Sequence, residues 1–352
     1  MRRVVRLAAY LPSGRSEGRA VAAVDEDEFT LGATAVERVW VGRPEEPGKV
    51  HVHLLGEFPP MADWGFPALL GREGDVVRHA DTAEELQEAL RSLEEGDDGP
   101  ALVVASELPE RAVGRARPRA AGPGAASVAY LLERTEEASP LDIGKPASGR
   151  RAVASTLRLG GPRIELPRFV TLVGDWDGPT AAEPTAPNTA GRPWKESTLS
   201  AVSEGAYVPR ARYLENLPSR WRFLSETCRG CGGTTFPARG ICRRCGRSDA
   251  LTSLALPLDG GRVVAITTVG KGGQPTEFDY QVESLGPYDV ALVELARGMR
   301  VTLQVTDCPP GTLKVGDRVN TMLRRLYPME GEWRYGRKAV PAPSSTLRRS
   351  PG

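Results

Sequence analysis

The sequence has little of what several large protein classes require. Aromatic residues make up 6% of its 352 residues and histidine occurs three times. The longest apolar stretches, such as Ala101–Ala105 and Val263–Val269, are far shorter than the roughly 18 residues of a membrane-spanning helix. The Met-Arg-Arg start leads into an apolar run that Arg6 and Pro12 interrupt, which argues against a secretory signal. We therefore expect a cytoplasmic protein without a membrane span.

Cysteine is also scarce, and four of the five cysteines stand in two Cys-x-x-Cys pairs. Because cytoplasmic thiols stay reduced, such pairs indicate a metal site before a disulfide. Each pair is followed by a glycine, Gly232 or Gly246, which relieves the backbone where it curls around an ion. Four protein ligands leave no open position, so we predict one structural zinc per chain and no chemistry at the metal. The four predicted ligands are Cys228, Cys231, Cys242 and Cys245.

Two alternatives to zinc are a pair of redox dithiols and an iron site of rubredoxin type. The residues around the cysteines lack the βαβ pattern of thioredoxin-like proteins, which favours zinc. Cys308 stands apart from the other four, before Pro309 and Pro310, and is expected to be an inert thiol.

The near-zero net charge of +1 conceals an asymmetry along the chain. Residues 206–352 carry 22 Lys/Arg and 13 Asp/Glu, a net charge of +9, which leaves −8 for residues 1–205. A basic half suits a polyanion such as nucleic acid or the phosphates of coenzyme A, although solvated arginines produce the same composition.

The length predicts two or three domains, and the pattern changes near residue 170. Before it, strands and helices alternate, which is typical of an α/β layer with crossover connections. A Pro-, Gly- and Thr-rich stretch follows, and we assign residues 171–205 to a linker. The predicted α/β elements are strands Arg3–Leu11, Val50–Leu55, Ala101–Ala105 and Gly122–Leu132 with helices Leu31–Trp40 and Thr82–Leu93.

After the linker, Tyr213–Glu226 has apolar residues at helical spacing and predicts a short helix that leads to the first cysteine pair. Short strand patterns then recur between Gly, Pro and Asp turns, which suggests a small β-barrel. These strands are Leu251–Leu256, Gly261–Val269, Val290–Leu295, Met299–Val305, Arg318–Leu326 and Trp333–Val340. The predicted domains are 1–170, 206–250 and 251–340, with a frayed tail at 341–352.

The run from Tyr213 to Val340 resembles the family known as domain of unknown function 35. The resemblance rests on the cysteines, on Thr235–Arg239 between the pairs, on Ala291–Leu295 followed by a glycine, and on Val315–Val319. It implies a rubredoxin-like zinc ribbon, an OB-fold and an association with acyl-CoA. Phe236 and Arg239, in the motif between the pairs, are our candidate contacts to coenzyme A.

The N-terminal half resembles the first half of thiolase-fold enzymes of the 3-hydroxy-3-methylglutaryl-CoA synthase type. The similar segments are Asp25–Val39 and Ala101–Glu107 followed by Gly122–Leu132. The resemblance implies a cysteine nucleophile at the start of a buried helix, and in the corresponding stretch of this chain, Asp75–Thr82, Arg78 occupies that position. Glu57 falls near the general base of the synthases, and we interpret it as a relic. His51 and His53 alternate on one strand, and we expect them to be packed or exposed side chains.

Together these patterns predict a degenerate half of a thiolase-like α/β domain followed by a zinc ribbon and an OB-fold barrel. We expect a non-catalytic accessory subunit that docks on thiolase-fold enzyme subunits and assists their binding or channelling of CoA thioesters. The alternative is a nucleic-acid-binding protein with aromatic stacking residues in a basic groove. Its candidate residues are Phe236, Tyr327, Trp333, Tyr335, Arg324, Arg325 and Arg334.

Overall fold

A computed structural model describes most of the C-terminal half of the chain and separate segments of the N-terminal half. The chain divides into two compact units, Met1–Thr185 and Ala186–Gly352. None of the helices in the described segments is long and apolar enough to cross a membrane. The described residues are 2–10, 14–16, 19–23, 25–40, 50–55, 58–72, 76–80, 85, 88, 99–108, 126–134, 139–140, 142–143, 156–158, 163–165, 172–173, 180–181, 208–275, 278–329 and 331–342.

The N-terminal unit is a mixed α/β structure. Its helices are α1 (Glu28–Trp40) and α2 (Ala62–Leu70). Its longer strands are β1 (Arg2–Tyr10), β2 (Gly14–Ser16), β3 (Arg19–Val21), β4 (His51–Leu55), β5 (Val76–Ala80), β6 (Ala101–Glu107) and β7 (Ala126–Arg134). Short strands follow as β8 (Ser139–Pro140), β9 (Asp142–Ile143), β10 (Thr156–Arg158), β11 (Arg163–Glu165), β12 (Leu172–Val173) and β13 (Thr180–Ala181).

The main sheet of this unit has the strand order β13-β1-β7-β6-β4-β5. Strand β4 runs parallel to both of its neighbours, and β7 runs antiparallel to both β6 and β1. All five residues of β4 are buried, as expected for a strand covered on both faces. The predicted α/β layer is confirmed, and β13 adds a strand inside the stretch that we had assigned to the linker.

Helix α1 begins with a reciprocal cap and packs closely on its neighbours. The Thr30 amide donates to Asp27 Oδ1 at 2.9 Å and the Asp27 amide donates to Thr30 Oγ1 at 2.8 Å. A Cβ atom at Gly32 would lie 3.0 Å from both the Phe66 ring and Val104, so a larger residue would require these side chains to shift by a few tenths of an ångström.

Some predictions fall outside the described residues. Of the helix predicted for Thr82–Leu93, the structure describes only Glu85 and Glu88, and both are helical. Glu57, most of the predicted linker and the tail after residue 342 are also outside the described part.

The C-terminal unit begins with two short helices rather than the predicted Tyr213–Glu226 helix. The helical run ends at Trp221, Phe223 adopts a positive φ of 48°, and a strand starts at Leu224. The helices are α3 (Arg210–Glu215), α4 (Leu217–Trp221) and α5 (Asp279–Leu285). The strands are β14 (Leu224–Cys228), β15 (Thr234–Thr235), β16 (Leu251–Ala255), β17 (Gly261–Val269), β18 (Tyr288–Glu294), β19 (Arg300–Gln304), β20 (Arg318–Met329) and β21 (Glu332–Pro341).

These strands form two sheets. The ribbon sheet has the order β15-β14-β16, and an antiparallel five-stranded sheet has the order β19-β18-β17-β20-β21. The edge strands of the larger sheet approach each other where Val305 and Ala339 form a bridge and the Thr306 amide donates to the Ala339 carbonyl at 2.9 Å. The predicted strands are confirmed. Among the described residues, the two edges of the larger sheet are paired only at this point.

One apolar core joins the two sheets. Phe223, from the entry to the ribbon, and Leu256, from its exit, pack with Val263, Val293 and Val319 of the larger sheet, and all five are buried. Ribbon and sheet therefore share a core, so loss of order in one removes apolar contacts from the other.

The hairpin of β20 and β21 buries an unusual number of cations. Arg324 is completely buried, and its Nη2 lies 3.1 Å from Oδ2 of Asp307, which is itself 7% exposed. The Arg325 guanidinium lies 4.7 Å from the centre of the Trp333 ring. Burying a charge is costly unless it is paired, so these contacts hold the hairpin in place. The buried cationic residues of the hairpin are Arg324, Arg325, Arg334, Arg337 and Lys338.

The same hairpin is tied to the two short helices. The Tyr213 hydroxyl donates to the Tyr335 carbonyl at 3.0 Å and accepts from the Tyr335 amide at 2.9 Å. Arg337 Nε donates to the Trp221 carbonyl at 2.6 Å. Burial raises the pKa of Tyr213 well above its usual range, so its hydroxyl stays protonated and keeps both bonds.

We predict that Arg324→Gln lowers the free energy of unfolding of the C-terminal unit by about 3 kcal/mol, because Asp307 would lose its buried partner. Urea titration followed by tryptophan fluorescence measures the change, since Trp221 is fully buried in this unit. Arg318→Gln is the matched control, because Arg318 is exposed on the same strand. Equal stability of the two variants would contradict this role of the ion pair.

Candidate metal centre

The two cysteine pairs sit in two turns with the same backbone hydrogen bonds. In the first turn, the Cys228 amide donates to the Gly233 carbonyl and the Gly232 amide donates to the Cys228 carbonyl. In the second turn, Cys242 bonds to Arg247 and Gly246 bonds to Cys242 in the same way. Gly232 and Gly246 have φ values of 68° and 74°, in the left-handed region that favours glycine. The sequence pattern thus forms two equivalent knuckles.

The knuckles bring the four sulfur atoms together. All four lie within 4.8 Å of one another, with 3.7 Å between Cys228 and Cys245 and 3.6 Å between Cys231 and Cys242. Zinc–sulfur bonds of about 2.3 Å in a tetrahedron place sulfur atoms about 3.8 Å apart. The four predicted ligands are therefore brought together in a cluster that fits a zinc ion, and among the described residues this cluster is the only candidate metal site.

The surroundings of Cys242 and Cys245 give these two thiols different pKa values. Backbone N–H groups of Cys245 and Arg244 point at Cys242 and lower its pKa to about 7. At Cys245 the Arg247 amide lowers the pKa, but the Cys231 thiol, desolvation and the other sulfurs together raise it to about 12. A dication among the sulfurs would favour the thiolate form of all four.

The loop between the knuckles is held by hydrogen bonds to Glu226 and Thr235. Glu226 accepts hydrogen bonds from the amides of Arg239 and Gly240, at 2.8 and 2.9 Å to Oε2. Thr235 Oγ1 accepts from the Arg243 amide at 3.2 Å. A carboxylate within a strand has no sequence pattern that distinguishes it from a solvated one, so Glu226 was not predicted.

The two residues proposed to contact coenzyme A occupy different environments. Phe236 is partly buried against the core and meets the Phe223 ring edge-on, with 5.9 Å between ring centres. Arg239 is exposed, and its side chain makes no hydrogen bond or ion pair within the described part of the chain. The contacts of Phe236 are those of a packing residue, whereas Arg239 is accessible.

Cys308 lies apart from the cluster, in the loop after β19. Desolvation, Asp307 and Asp289 raise the pKa of Cys308 to about 11, so it is a neutral thiol near pH 7. Asp289 is buried and accepts hydrogen bonds from Thr268 Oγ1 and from the Gly311 amide, both at 2.6 Å. The isolated thiol therefore belongs to a loop that this carboxylate anchors.

In the N-terminal unit, the prediction for Arg78 was wrong in one respect. Arg78 lies within β5, opposite His53 of β4, and not at the start of a helix. Val76 and Val77 favour an extended backbone, which continues to Ala80. No cysteine precedes Cys228 in the sequence.

The other residues considered in this unit do not form a site in the described structure. His51 and His53 are both buried in the central strand β4 and belong to no cluster of metal ligands among the described residues. His79 instead pairs with Asp63, with 2.5 Å between Nε2 and Oδ1, on a half-exposed surface.

The aromatic and basic residues considered for nucleic-acid binding are mostly buried. Tyr327 is 7% exposed and Tyr335 is 1% exposed. Arg334 is also buried, 5.1 Å from the centre of the Tyr213 ring, and its Nη1 contacts Glu332 at 3.2 Å. Bases need exposed aromatic faces for stacking, and these rings do not offer them.

Solved structures that are similar to this chain include an aldolase and HMG-CoA synthases. An Ltp2-ChsH2(DUF35) aldolase is 22% identical with a TM-score of 0.29, and the match covers 39% of this chain and 98% of that one. PksG, an HMG-CoA synthase from Bacillus subtilis, is 18% identical with a TM-score of 0.32, over 40% of this chain and 43% of that one. An HMG-CoA synthase complexed with CoA is 15% identical with a TM-score of 0.33, over 49% and 50%.

Sequence comparison returns one family profile and several relatives. The family profile described as ChsH2, C-terminal OB-fold domain matches residues 257–323. A DUF35 domain-containing scaffold protein of Methanothermobacter thermautotrophicus is 34% identical over 121 residues, which are 34% of this chain and 85% of the relative. A protein of the same name from Methanocaldococcus jannaschii is 30% identical over 115 residues, 33% of this chain and 77% of the relative. The chain therefore belongs to the family of DUF35 domain-containing scaffold proteins.

Proposed function

We propose that this chain is a non-catalytic scaffold subunit that docks on thiolase-fold enzymes and helps them to hold CoA thioesters. The observation that carries the proposal is the match to scaffold proteins, one of which is covered over 85% of its length by a third of this chain. The proposed partners are thiolase or 3-hydroxy-3-methylglutaryl-CoA synthase subunits of the native host.

The cysteine cluster supports a structural metal within this scaffold. Four sulfur ligands complete a tetrahedral zinc site, so substrate would find no open coordination position. The metal would instead fix the ribbon against the core that it shares with the larger sheet. Metal binding requires reduced thiols, which is consistent with a cytoplasmic location.

We predict one zinc per chain in protein purified under reducing conditions, measured by plasma emission spectroscopy. Cys242→Ser should lose the zinc and the cooperative unfolding of the C-terminal unit, because folding of such ribbons is coupled to metal binding. Cys308→Ser is the control and should retain both, since Cys308 lies outside the cluster. Freshly purified wild-type protein without zinc would contradict the proposed metal.

A pair of exposed arginines supports the binding of phosphates. Arg262 of β17 and Arg318 of β20 are register partners, and both are exposed. In the described part of the chain neither arginine makes an ion pair. Glu294, which lies opposite Arg262, is paired with Arg300 instead. Like charges directly opposite each other are destabilising, so an anion such as the CoA phosphates would relieve their repulsion.

We predict that CoA binds tightly only to the complex with the partner, since a shallow face alone buries too little of a flexible ligand. In calorimetry of the complex, the double variant Arg262→Gln/Arg318→Gln should bind CoA about tenfold more weakly. Lys271→Gln/Arg297→Gln removes the same charge from exposed positions elsewhere and should bind CoA normally. Affinity should also fall as salt rises.

The same titrations with single-stranded oligonucleotides test the alternative function. Tight oligonucleotide binding, with no response to CoA in either the free protein or the complex, would overturn the scaffold proposal in favour of nucleic-acid binding.

We also predict that the isolated chain forms no acyl adduct. Thiolase-type acylation needs an activated cysteine, and the N-terminal unit contains none. Incubation with acetyl-CoA followed by intact-mass analysis should show the unmodified mass. An added acetyl group that survives denaturation would mean that the chain carries a nucleophile of another kind.

A further inference from the structure

Two arginines of the second knuckle lie against the glycines of the first knuckle. A Cβ atom built on Gly230 would lie 3.1 Å from Arg247 Nη1, and one built on Gly233 would lie 3.1 Å from Arg244 Cβ. The same two positions are 3.6 Å from Cys228 Sγ and 3.3 Å from Cys231 Sγ. Each glycine therefore has one arginine and one sulfur of the cluster close by, and a larger residue there would require the arginine to shift by a few tenths of an ångström.

Both arginines are held at this place by polar contacts. Arg247 uses Nε and Nη2 to contact Asp249 Oδ1 and Oδ2, each at 3.3 Å, which leaves Nη1 on the side of the first knuckle. Arg244 Nη1 donates to the Cys231 carbonyl at 3.4 Å. Two side chains of the second knuckle thus lie close to the first knuckle.

The zinc-loaded cluster would be negatively charged, and the two arginines are positively charged. Four thiolates around one zinc ion form a net dianion, which two guanidinium groups would neutralise. Other arginines of the ribbon are not placed in this way. In the described structure the side chains of Arg239 and Arg243 make no hydrogen bond or ion pair.

We infer that Arg244 and Arg247 retain the metal by neutralising the zinc–thiolate dianion and holding the two knuckles together. This inference rests on the proposed zinc occupancy. It gives Arg244 and Arg247 a positioning role in addition to that of the four cysteine ligands. Groups outside the first coordination shell commonly affect metal affinity. Loss of the arginines should accelerate release of zinc without changing its ligands.

The test uses the full zinc-loaded chain and an excess of a chromophoric chelator, with the rate of zinc transfer as the readout. We expect Arg244→Gln and Arg247→Gln each to release zinc about threefold faster, and the double variant about tenfold faster. Arg239→Gln and Arg243→Gln are charge-matched controls that should release zinc at the wild-type rate. Arg244→Lys, which keeps the charge, should recover part of the retention.

Salt separates the charge effect from packing. Because the arginines are exposed, the difference between the double variant and wild type should shrink as ionic strength rises from about 0.05 to 0.5 M. A wild-type release rate in the double variant, an equal acceleration in the control variants, or an acceleration independent of salt would each overturn the inference. A wild-type chain without zinc would instead refute the proposed metal.

Discussion

The ribbon depends on one constraint, which is that four sulfur atoms must share a space less than 5 Å across. Four thiolates at such distances repel one another strongly unless a cation lies between them. Two copies of the same turn, with glycine in the left-handed region after each pair, deliver the sulfurs to this space. The strands β14 and β16 extend from the cluster, and Phe223 and Leu256 at their ends enter the core of the larger sheet. A metal would therefore stabilise the ribbon strands and their packing on the larger sheet, as well as the two knuckles.

A second constraint lies in the hairpin of β20 and β21, whose cations are buried rather than solvated. Asp307 and Glu332 supply carboxylates to Arg324 and Arg334, the Trp333 ring lies against Arg325, and the Trp221 carbonyl accepts from Arg337. Hydrogen bonds from Arg210 and Arg334 outweigh desolvation and lower the pKa of Glu332, which keeps this carboxylate ionised. The positive charge of the C-terminal half is thus partly internal, and the exposed pair Arg262 and Arg318 is a more accessible place for an anion.

Spacing alone predicted the cysteine cluster and the strand Gly261–Val269, because both depend on local pattern. The helix predicted through Leu224 was wrong, since apolar residues three or four apart also fit a short helix followed by a strand, and the positive φ of Phe223 has no sequence signal. Helix α5 was missed because seven residues show too little periodicity. The burial of Arg324 and Arg334 could not be foreseen, because the partners that permit it are distant in sequence.

Four cysteine sulfurs that lie within 4.8 Å of one another could complete a tetrahedral metal site by themselves. The central claim is that the metal is held by four sulfurs and has no position for water or substrate. Zinc K-edge X-ray absorption of the full chain tests this most directly. The account predicts a first shell of four sulfur atoms at about 2.3 Å. A nitrogen or oxygen ligand in that shell would contradict a closed structural site.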